Sequence, residues 1–197
     1  MTGSARVLRW TAFSLMAVFG LLGGLFVAGE TFMDPGGWTA AFVTALWVLP
    51  MVGLSAFALL RPERAGPVFV GLTGLLALFT LADSAFGIIP RDDWGPVTAV
   101  AVFALGVSLA FLGLKQAGLA GVLMVVLALA QVAATALGIA IHEPERAGEG
   151  PGLGALLGGS GGVVVLPLLV VGVLFLFSSS LTGESRGRRT PRVHPAH

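Results

Sequence analysis

Cysteine is absent from this chain of 197 residues, and charged residues make up only 11% of it. Without cysteine the chain has no disulfide, no thiolate nucleophile and no cysteine metal site, so cysteine usage does not indicate a redox compartment. Soluble domains contain about 25% charged residues. Here 56% of the residues are hydrophobic and the mean hydropathy is +0.95, which is more apolar surface than one small core can bury. Lipid is therefore predicted to be the solvent for most of the chain.

Positive charge is also scarce. The net charge is +1, Lys115 is the only lysine, and the basic residues lie at chain ends and turns rather than among aromatic residues. This pattern does not indicate a nucleic-acid partner. The preference for Ala, Gly, Val and Arg is typical of a GC-rich bacterial genome. We therefore expect the lipid bilayer of a bacterial cytoplasmic membrane as the main partner.

Long apolar runs are what the chain has in abundance. Six runs of about 20 residues each predict an all-α, polytopic membrane bundle over residues 1–182. The predicted spans are 10–29, 38–60, 67–89, 96–114, 117–141 and 163–181, and residues 183–197 are predicted to form a basic, disordered cytoplasmic tail. A secretory signal is the alternative for the first span, but its length favours an uncleaved helix.

The connectors between spans are predicted to be short, with one exception. Residues 61–64 are predicted to form a basic turn, after which Pro67 begins the third span in its first turn. Lys115 and Gln116 form the shortest predicted connector, so the fourth and fifth spans should pair as an antiparallel hairpin. The exception is 142–162, a length that is uncommon unless the segment is a lid or disordered.

The basic residues also predict the orientation of the spans. If the N-terminus is cytoplasmic, all of them except Arg91 and Arg146 lie on the inner side. Loops that are rich in Lys and Arg stay on the cytoplasmic side of the membrane, so both termini are predicted to be cytoplasmic. The acidic residues concentrate outside, where their field would attract cations, although loop solubility explains them equally well.

The third predicted span carries a carboxylate, Asp83, about 10 Å of helix inside its outer end. Polar and small residues share one helical stripe with it and are predicted to face protein rather than lipid: Thr73, Leu76, Thr80 and Gly87, with Ser84 flanking. The fifth span has a second polar stripe, formed by Gln131, Thr135 and Gly138.

Three interpretations of Asp83 stay open, because an ionised carboxylate in hydrocarbon costs at least a few kcal/mol unless it is paired, hydrated or protonated. In the first, it binds a proton or cation from the outer side, with Thr80, Ser84 and Gln131 as oxygen ligands or relay partners. In the second, it is a structural acid bonded to Gln131, Thr135 or a backbone carbonyl, which holds the third helix to the fifth. In the third, the span is shifted so that Asp83 reaches interfacial water.

A candidate helix-packing face lies in the first span. Gly20, Gly24 and Ala28 recur at every fourth residue, which lets a neighbouring helix approach closely. A packing role is the simplest interpretation of this stripe.

No catalytic residue or cofactor is predicted. His142, Glu143, Glu145 and Glu149 form a possible zinc site, but acids in a solvated loop are ordinary. The sequence has no nucleophile-elbow motif and no His pair at metal spacing on a helix. We therefore expect a protein that is not an enzyme.

Segments 48–62 (VLPMVGLSAFALLRP) and 95–109 (GPVTAVAVFALGVSL) resemble small, uncharacterised multi-pass membrane proteins of high-GC bacteria. The resemblance covers spans two to four, is mostly compositional, and brings no activity or catalytic residues with it. It implies a membrane protein and nothing further.

Two functional hypotheses remain. One is an accessory or scaffold subunit, which would bind a membrane-protein partner or a second copy through faces such as Gly20, Gly24 and Ala28. The other is a small cation- or proton-coupled transporter or channel that uses Asp83. The sequence favours the accessory subunit by a small margin, since a single off-centre acid is little machinery for coupled transport.

Overall fold

The computed structural model describes residues 3–33, 37–88, 97–142 and 160–182, and it describes side chains for most of them. These residues form six α-helices: α1 (Gly3–Met33), α2 (Gly37–Leu60), α3 (Pro62–Phe86), α4 (Val97–Gly113), α5 (Ala117–His142) and α6 (Ser160–Thr182). Each helix overlaps one predicted apolar run, so the all-α prediction is confirmed. Helices are expected because lipid offers no partner for backbone N–H and C=O groups, which must pair within each segment.

Four of the helices contain segments that are long and apolar enough to cross a membrane. These segments are Gly3–Gly23, Pro62–Phe86, Ala117–Ile141 and Val164–Thr182. The apolar parts of α2 and α4 within the described residues are shorter, Thr44–Leu60 and Val100–Gly113. The lengths and compositions indicate a membrane protein.

Helix α4 lies at the centre of the bundle. It contacts all five other helices, and these surround it in the order α1, α6, α5, α3, α2, with α2 again touching α1. The residues of α4 from Leu105 to Ala110 are all buried. Within the ring, the backbones of α5 and α6 approach each other closely at Gly121 and Gly172.

The outer faces of the ring helices are apolar. Large side chains such as Leu21, Leu49, Leu75, Leu78 and Phe177 are more than half exposed. A soluble protein would bury such side chains, but in a bilayer they meet lipid chains of the same polarity. The bundle is thus apolar both in its core and on its surface.

The connection between α2 and α3 differs from the predicted four-residue turn. Only Arg61 separates the two helices, and Pro62 occupies the first turn of α3. Pro67 therefore lies inside α3, and the prediction that it begins the helix was wrong. Pro62 provides the same preset backbone angle five residues earlier, and its missing N–H is not needed there. This connection is also shorter than the turn at Lys115 and Gln116, which does reverse the chain between the packed helices α4 and α5.

Glycine allows the closest helix crossings around α4. A Cβ atom at Gly121 of α5 would lie 2.8 Å from the carbonyl oxygen of Gly172 in α6, so the two backbones touch. At the end of α4, Gly113 lies directly against the ring of the fully buried Phe175 of α6. A side chain at Gly121 would push the backbones of α5 and α6 apart, whereas a side chain at Gly113 would have to displace the Phe175 ring.

Candidate intramembrane polar site

Helices α3 and α5 run in the same direction, and their first turns lie side by side. Gln116 Nε2 donates a hydrogen bond to the carbonyl oxygen of Pro62 (2.8 Å), and a Cβ at Gly66 would lie 3.2 Å from Leu119 Cδ2. Because both helices rise by about 1.5 Å per residue, a residue of α3 lies level with a residue about 53 positions later in α5. This register relates the two polar stripes.

The stripe on α3 faces the interior of the bundle at its two threonines, as predicted, but not at Gly87. Thr73 is 1% exposed and Thr80 is 3% exposed, while Leu76, Asp83 and Ser84 are half-buried. Gly87 lies just beyond the helix and is exposed. It has a left-handed φ of 61°, which ends α3. The prediction is therefore confirmed for the two threonines.

The stripe on α5 continues the buried face formed by Met124, Leu127 and Ala128. Gln131 is 9% exposed and Thr135 is half-buried. By the register above, Thr135 lies level with the turn of α3 that holds Asp83, and Gln131 lies about one turn deeper. The residues predicted to form one polar site therefore lie at neighbouring levels of two packed helices.

The two threonines nearest to the level of Asp83 donate their hydroxyl protons to their own helices. Thr80 Oγ1 bonds to the carbonyl of Ala77 (2.9 Å), and Thr135 Oγ1 bonds to the carbonyl of Gln131 (3.0 Å). With its proton engaged in this way, a hydroxyl oxygen has only lone pairs left to offer. Both oxygens can therefore accept a hydrogen bond or coordinate a cation.

Deeper in the bundle, two polar atoms are buried without a hydrogen-bond partner. These atoms are Thr73 Oγ1 on α3 and Gln131 Nε2 on α5, and a third such atom, Thr44 Oγ1, lies on α2. In the structural interpretation of Asp83, one of the bonds that could hold this acid comes from Gln131. Because Gln131 Nε2 has no partner, it does not donate a bond to Asp83. Buried polar groups normally have a protein or water partner, because leaving one unpaired costs about 1–3 kcal/mol. The two unpaired atoms are thus places where a polar ligand would be bound favourably.

Asp83 lies closer to the helix end than the sequence predicts. Helix α3 ends at Phe86 rather than at residue 89, and the carbonyl of Asp83 accepts the closing hydrogen bond from Gly87 N–H (2.8 Å). The midpoint of α3 is Gly74, so Asp83 is about 13 Å of helix from it. Half of a typical hydrocarbon layer is about 15 Å, so a helix centred in the bilayer would hold the carboxylate near the boundary with the headgroups.

The polar stripe does not continue to the other end of α3. The positions below Thr73 on the same stripe are Phe69, Gly66 and Ala65, and Phe69 is completely buried. Polar groups therefore extend from the C-terminal end of α3 to its middle and stop at an aromatic side chain. We call this set of residues, Asp83, Thr80, Thr135, Gln131 and Thr73, the polar file.

A second polar cluster was not predicted. Arg9 of α1 is only 6% exposed, and its Nη1 donates to the carbonyl of Leu114 (3.2 Å) while its Nε donates to Ser178 Oγ (3.5 Å). Ser178 Oγ in turn donates to the carbonyl of Ala5 (3.3 Å). No sequence signal separates Arg9 from Arg6, because both simply precede the first apolar run.

A third cluster joins α2 to α4. Ser108 Oγ lies 2.9 Å from the carbonyl of Ala104 and 3.2 Å from that of Met51, and Ser55 Oγ lies 3.4 Å from Ser108 Oγ. Ser55 also donates to the Met51 carbonyl (2.7 Å). Serine hydroxyls in apolar helices are a known means of joining neighbouring helices, and this pair joins α2 to the central helix.

The remaining predicted positions are placed as follows. Gly20 lies against Val107 of α4, so this part of the packing face is used inside the bundle. Gly24 and Ala28 belong to α1, but their side chains lie outside the described residues. The possible zinc ligands His142 to Glu149 also lie outside them, and the part of the chain that is described contains no group of three potential metal-ligating side chains.

No protein-family model, curated protein or solved structure matches the chain. Its resemblance to multi-pass membrane proteins therefore stays one of composition, and function has to be inferred from the residues themselves.

Proposed function

We propose that the protein is a six-span protein of the bacterial cytoplasmic membrane, with both termini inside, and that its polar file binds a small cation or proton from the outer side. It would act as a small transporter or channel. The six helices of the bundle and the clustering of basic residues on one side support this arrangement.

The observation that carries the proposal is the pair of unpaired polar atoms below Asp83. Thr73 Oγ1 and Gln131 Nε2 are buried in a bundle whose other interior positions are mostly apolar. A purely structural acid would need polar neighbours at its own level only. Unpaired groups that continue about 15 Å toward the middle of α3 are better explained by a path that water enters, since the Gln131 amide nitrogen is a donor that can bind water but cannot coordinate a cation.

Three residues of the polar file have roles that fit their positions. Asp83, half-buried near the headgroups, supplies the negative charge that attracts a cation or accepts a proton. Thr80 offers oxygen lone pairs about one turn of helix from it, and Thr135 offers them at about its own level, with Ser84 next to Asp83 in the chain. Phe69 closes the path, so transport to the other side requires α3 to move relative to α5.

The test is flux into proteoliposomes containing the purified full chain, followed with a pH-sensitive dye and with Na⁺ and K⁺ indicators. Asp83→Asn should abolish flux while the yield and melting temperature stay unchanged, because the substitution keeps the shape and removes the charge. Glu63→Gln is the matched control, since Glu63 is an exposed acid in the first turn of the same helix. No flux with the parent protein, or the same flux with Asp83→Asn, would rule out the proposal.

The second candidate function is the accessory or scaffold subunit, which a feature of α3 supports. Gly71 and Gly74 are exposed, and a Cβ at either position would have no atom within 4 Å. Together with the exposed Leu75 and Leu78 they form a flat apolar face that a partner helix could approach closely. This face replaces Gly20, which already packs against Val107.

Co-purification in a mild detergent tests this second candidate. A stable partner should be lost in Gly74→Leu and retained in Gly53→Leu, because Gly53 lies on another helix and has equally open space around it. A monomeric parent protein that is indifferent to Gly74→Leu would argue against an accessory role. The same preparation can be tested with Gly24→Leu, which probes the face predicted from the sequence.

A further inference from the structure

We infer that the outer face of α1 binds one anionic phospholipid, through a groove whose polar end is at Arg6. The inference rests on one part of the proposed topology, namely that the first turns of α1 lie at the membrane surface. It does not involve α3, α5 or the polar file.

The groove is shallow and open, has a volume of about 540 Å³, and lies along one side of α1. Six of the residues that line it are Arg6, Trp10, Thr11, Ser14, Leu15 and Val18. Arg6, Trp10, Thr11 and Ser14 are all exposed, so no other described helix covers this face. A lipid can therefore enter the groove from the bilayer.

The chemistry of the lining changes along the helix in the same order as the chemistry of a phospholipid. The guanidinium of Arg6 comes first and matches a phosphate, to which arginine can donate two parallel hydrogen bonds. Trp10 follows, a residue type that prefers the headgroup level. The hydroxyls of Thr11 and Ser14 come next, at the depth of the ester carbonyls, and Val18 is apolar.

The length of the groove also matches. Arg6 and Val18 are separated by twelve residues, or about 18 Å of helix, whereas half of a bilayer with its headgroup region is about 20–22 Å thick. A lipid with its phosphate at Arg6 would therefore extend its chains past Val18 without passing the middle of the bilayer.

The opposite face of α1 keeps this groove in place. Arg9 points into the bundle, where it bonds to Leu114 and Ser178, so α1 cannot rotate without breaking those contacts. The two arginines therefore have different surroundings, one facing lipid and one facing protein. An anionic headgroup is favoured because its net negative charge neutralises Arg6. A zwitterionic headgroup such as phosphocholine would place a second cation beside Arg6.

The experiment is native mass spectrometry of the full chain, purified in detergent and mixed with phosphatidylglycerol or with phosphatidylcholine. One phosphatidylglycerol should bind in preference to phosphatidylcholine. Arg6→Gln should weaken its binding about fivefold, as expected for one basic residue at a membrane surface. Arg64→Gln, which removes another exposed arginine, should leave binding unchanged.

Equal binding of the two lipids, or the same loss in Arg6→Gln and Arg64→Gln, would overturn the inference. So would binding of inorganic phosphate alone with the same dependence on Arg6, because the site would then recognise a free anion. Flux measured on Arg6→Gln separates this inference from the proposed function, since loss of the lipid should leave flux through the polar file intact.

Discussion

Arg9 Nη1 donates a hydrogen bond of 3.2 Å to the carbonyl oxygen of Leu114, in the turn that follows the central helix α4. The last carbonyls of a helix have no partner within it and carry partial negative charge, so a cation at this end is favourable. The same guanidinium reaches Ser178 on α6. One side chain of α1 thereby joins the end of the central helix α4 to α6, the helix that is farthest from α1 in the sequence.

Removing this contact should destabilise the bundle. Arg9→Met keeps the length of the side chain but leaves the carbonyl of Leu114 without its donor, so we expect a loss of about 1–3 kcal/mol in the free energy of unfolding. Thermal melting in detergent would show a lower midpoint for Arg9→Met than for the parent. Arg64→Met, at an exposed arginine of α3, is the control and should melt like the parent.

The crossing of α5 and α6 should not tolerate even one methyl group. A Cβ in Gly121→Ala would lie 2.8 Å from the Gly172 carbonyl, a backbone atom that cannot rotate away, so a destabilisation of about 1–3 kcal/mol is expected. Gly71→Ala is the matched control. It adds the same methyl group where nothing lies within 4 Å, and alanine is the better helix former by about 1 kcal/mol. Equal melting of the two variants would contradict the close crossing.

The positions of the helices could be predicted from the sequence because apolar length alone determines a span. The identity of the central helix could not be predicted from the sequence. In a soluble protein the buried face of a helix is more apolar than its exposed face, but here both faces are apolar, so α4 has no distinguishing pattern. Gly113, Gly121 and Gly172 were missed for the same reason, since glycine is frequent throughout the chain and only the packing shows which ones touch.

The polar residues were easier to place. A threonine among leucines stands out, and the three- and four-residue steps from Thr73 through Leu76 and Thr80 to Asp83 predict a shared face that the burial of the threonines confirms. The end of α3 was misplaced by three residues because Ile88 and Ile89 are as apolar as the helix itself. The left-handed Gly87 ends the helix, and hydropathy does not detect that signal.

The hydroxyls of Ser55 and Ser108 should act as a unit. Ser55→Ala and Ser108→Ala each remove a hydroxyl from the α2–α4 contact, and the double variant should lose less than the summed effects of the single variants. A coupling of about 0.6 kcal/mol is typical of hydrogen bonds between membrane helices. A double-mutant cycle on the free energy of unfolding in detergent measures it, and strictly additive effects would contradict the contact.

Gln131 should show opposite effects on stability and on transport. Gln131→Met has a similar shape and removes a buried amide nitrogen that has no partner, so the melting temperature should rise or stay the same. Flux in proteoliposomes should fall, because the middle of the polar file is lost. A lower melting temperature with unchanged flux would instead assign Gln131 a structural role.

The absence of cysteine makes the topology directly measurable, since any introduced cysteine is the only one in the chain. The decisive measurement is labelling of Glu145→Cys and Lys115→Cys in intact cells with a membrane-impermeant maleimide. Six spans with both termini inside predict that Glu145→Cys is labelled at once and that Lys115→Cys is labelled only after the cells are permeabilised. Labelling of both residues from the same side would contradict the account.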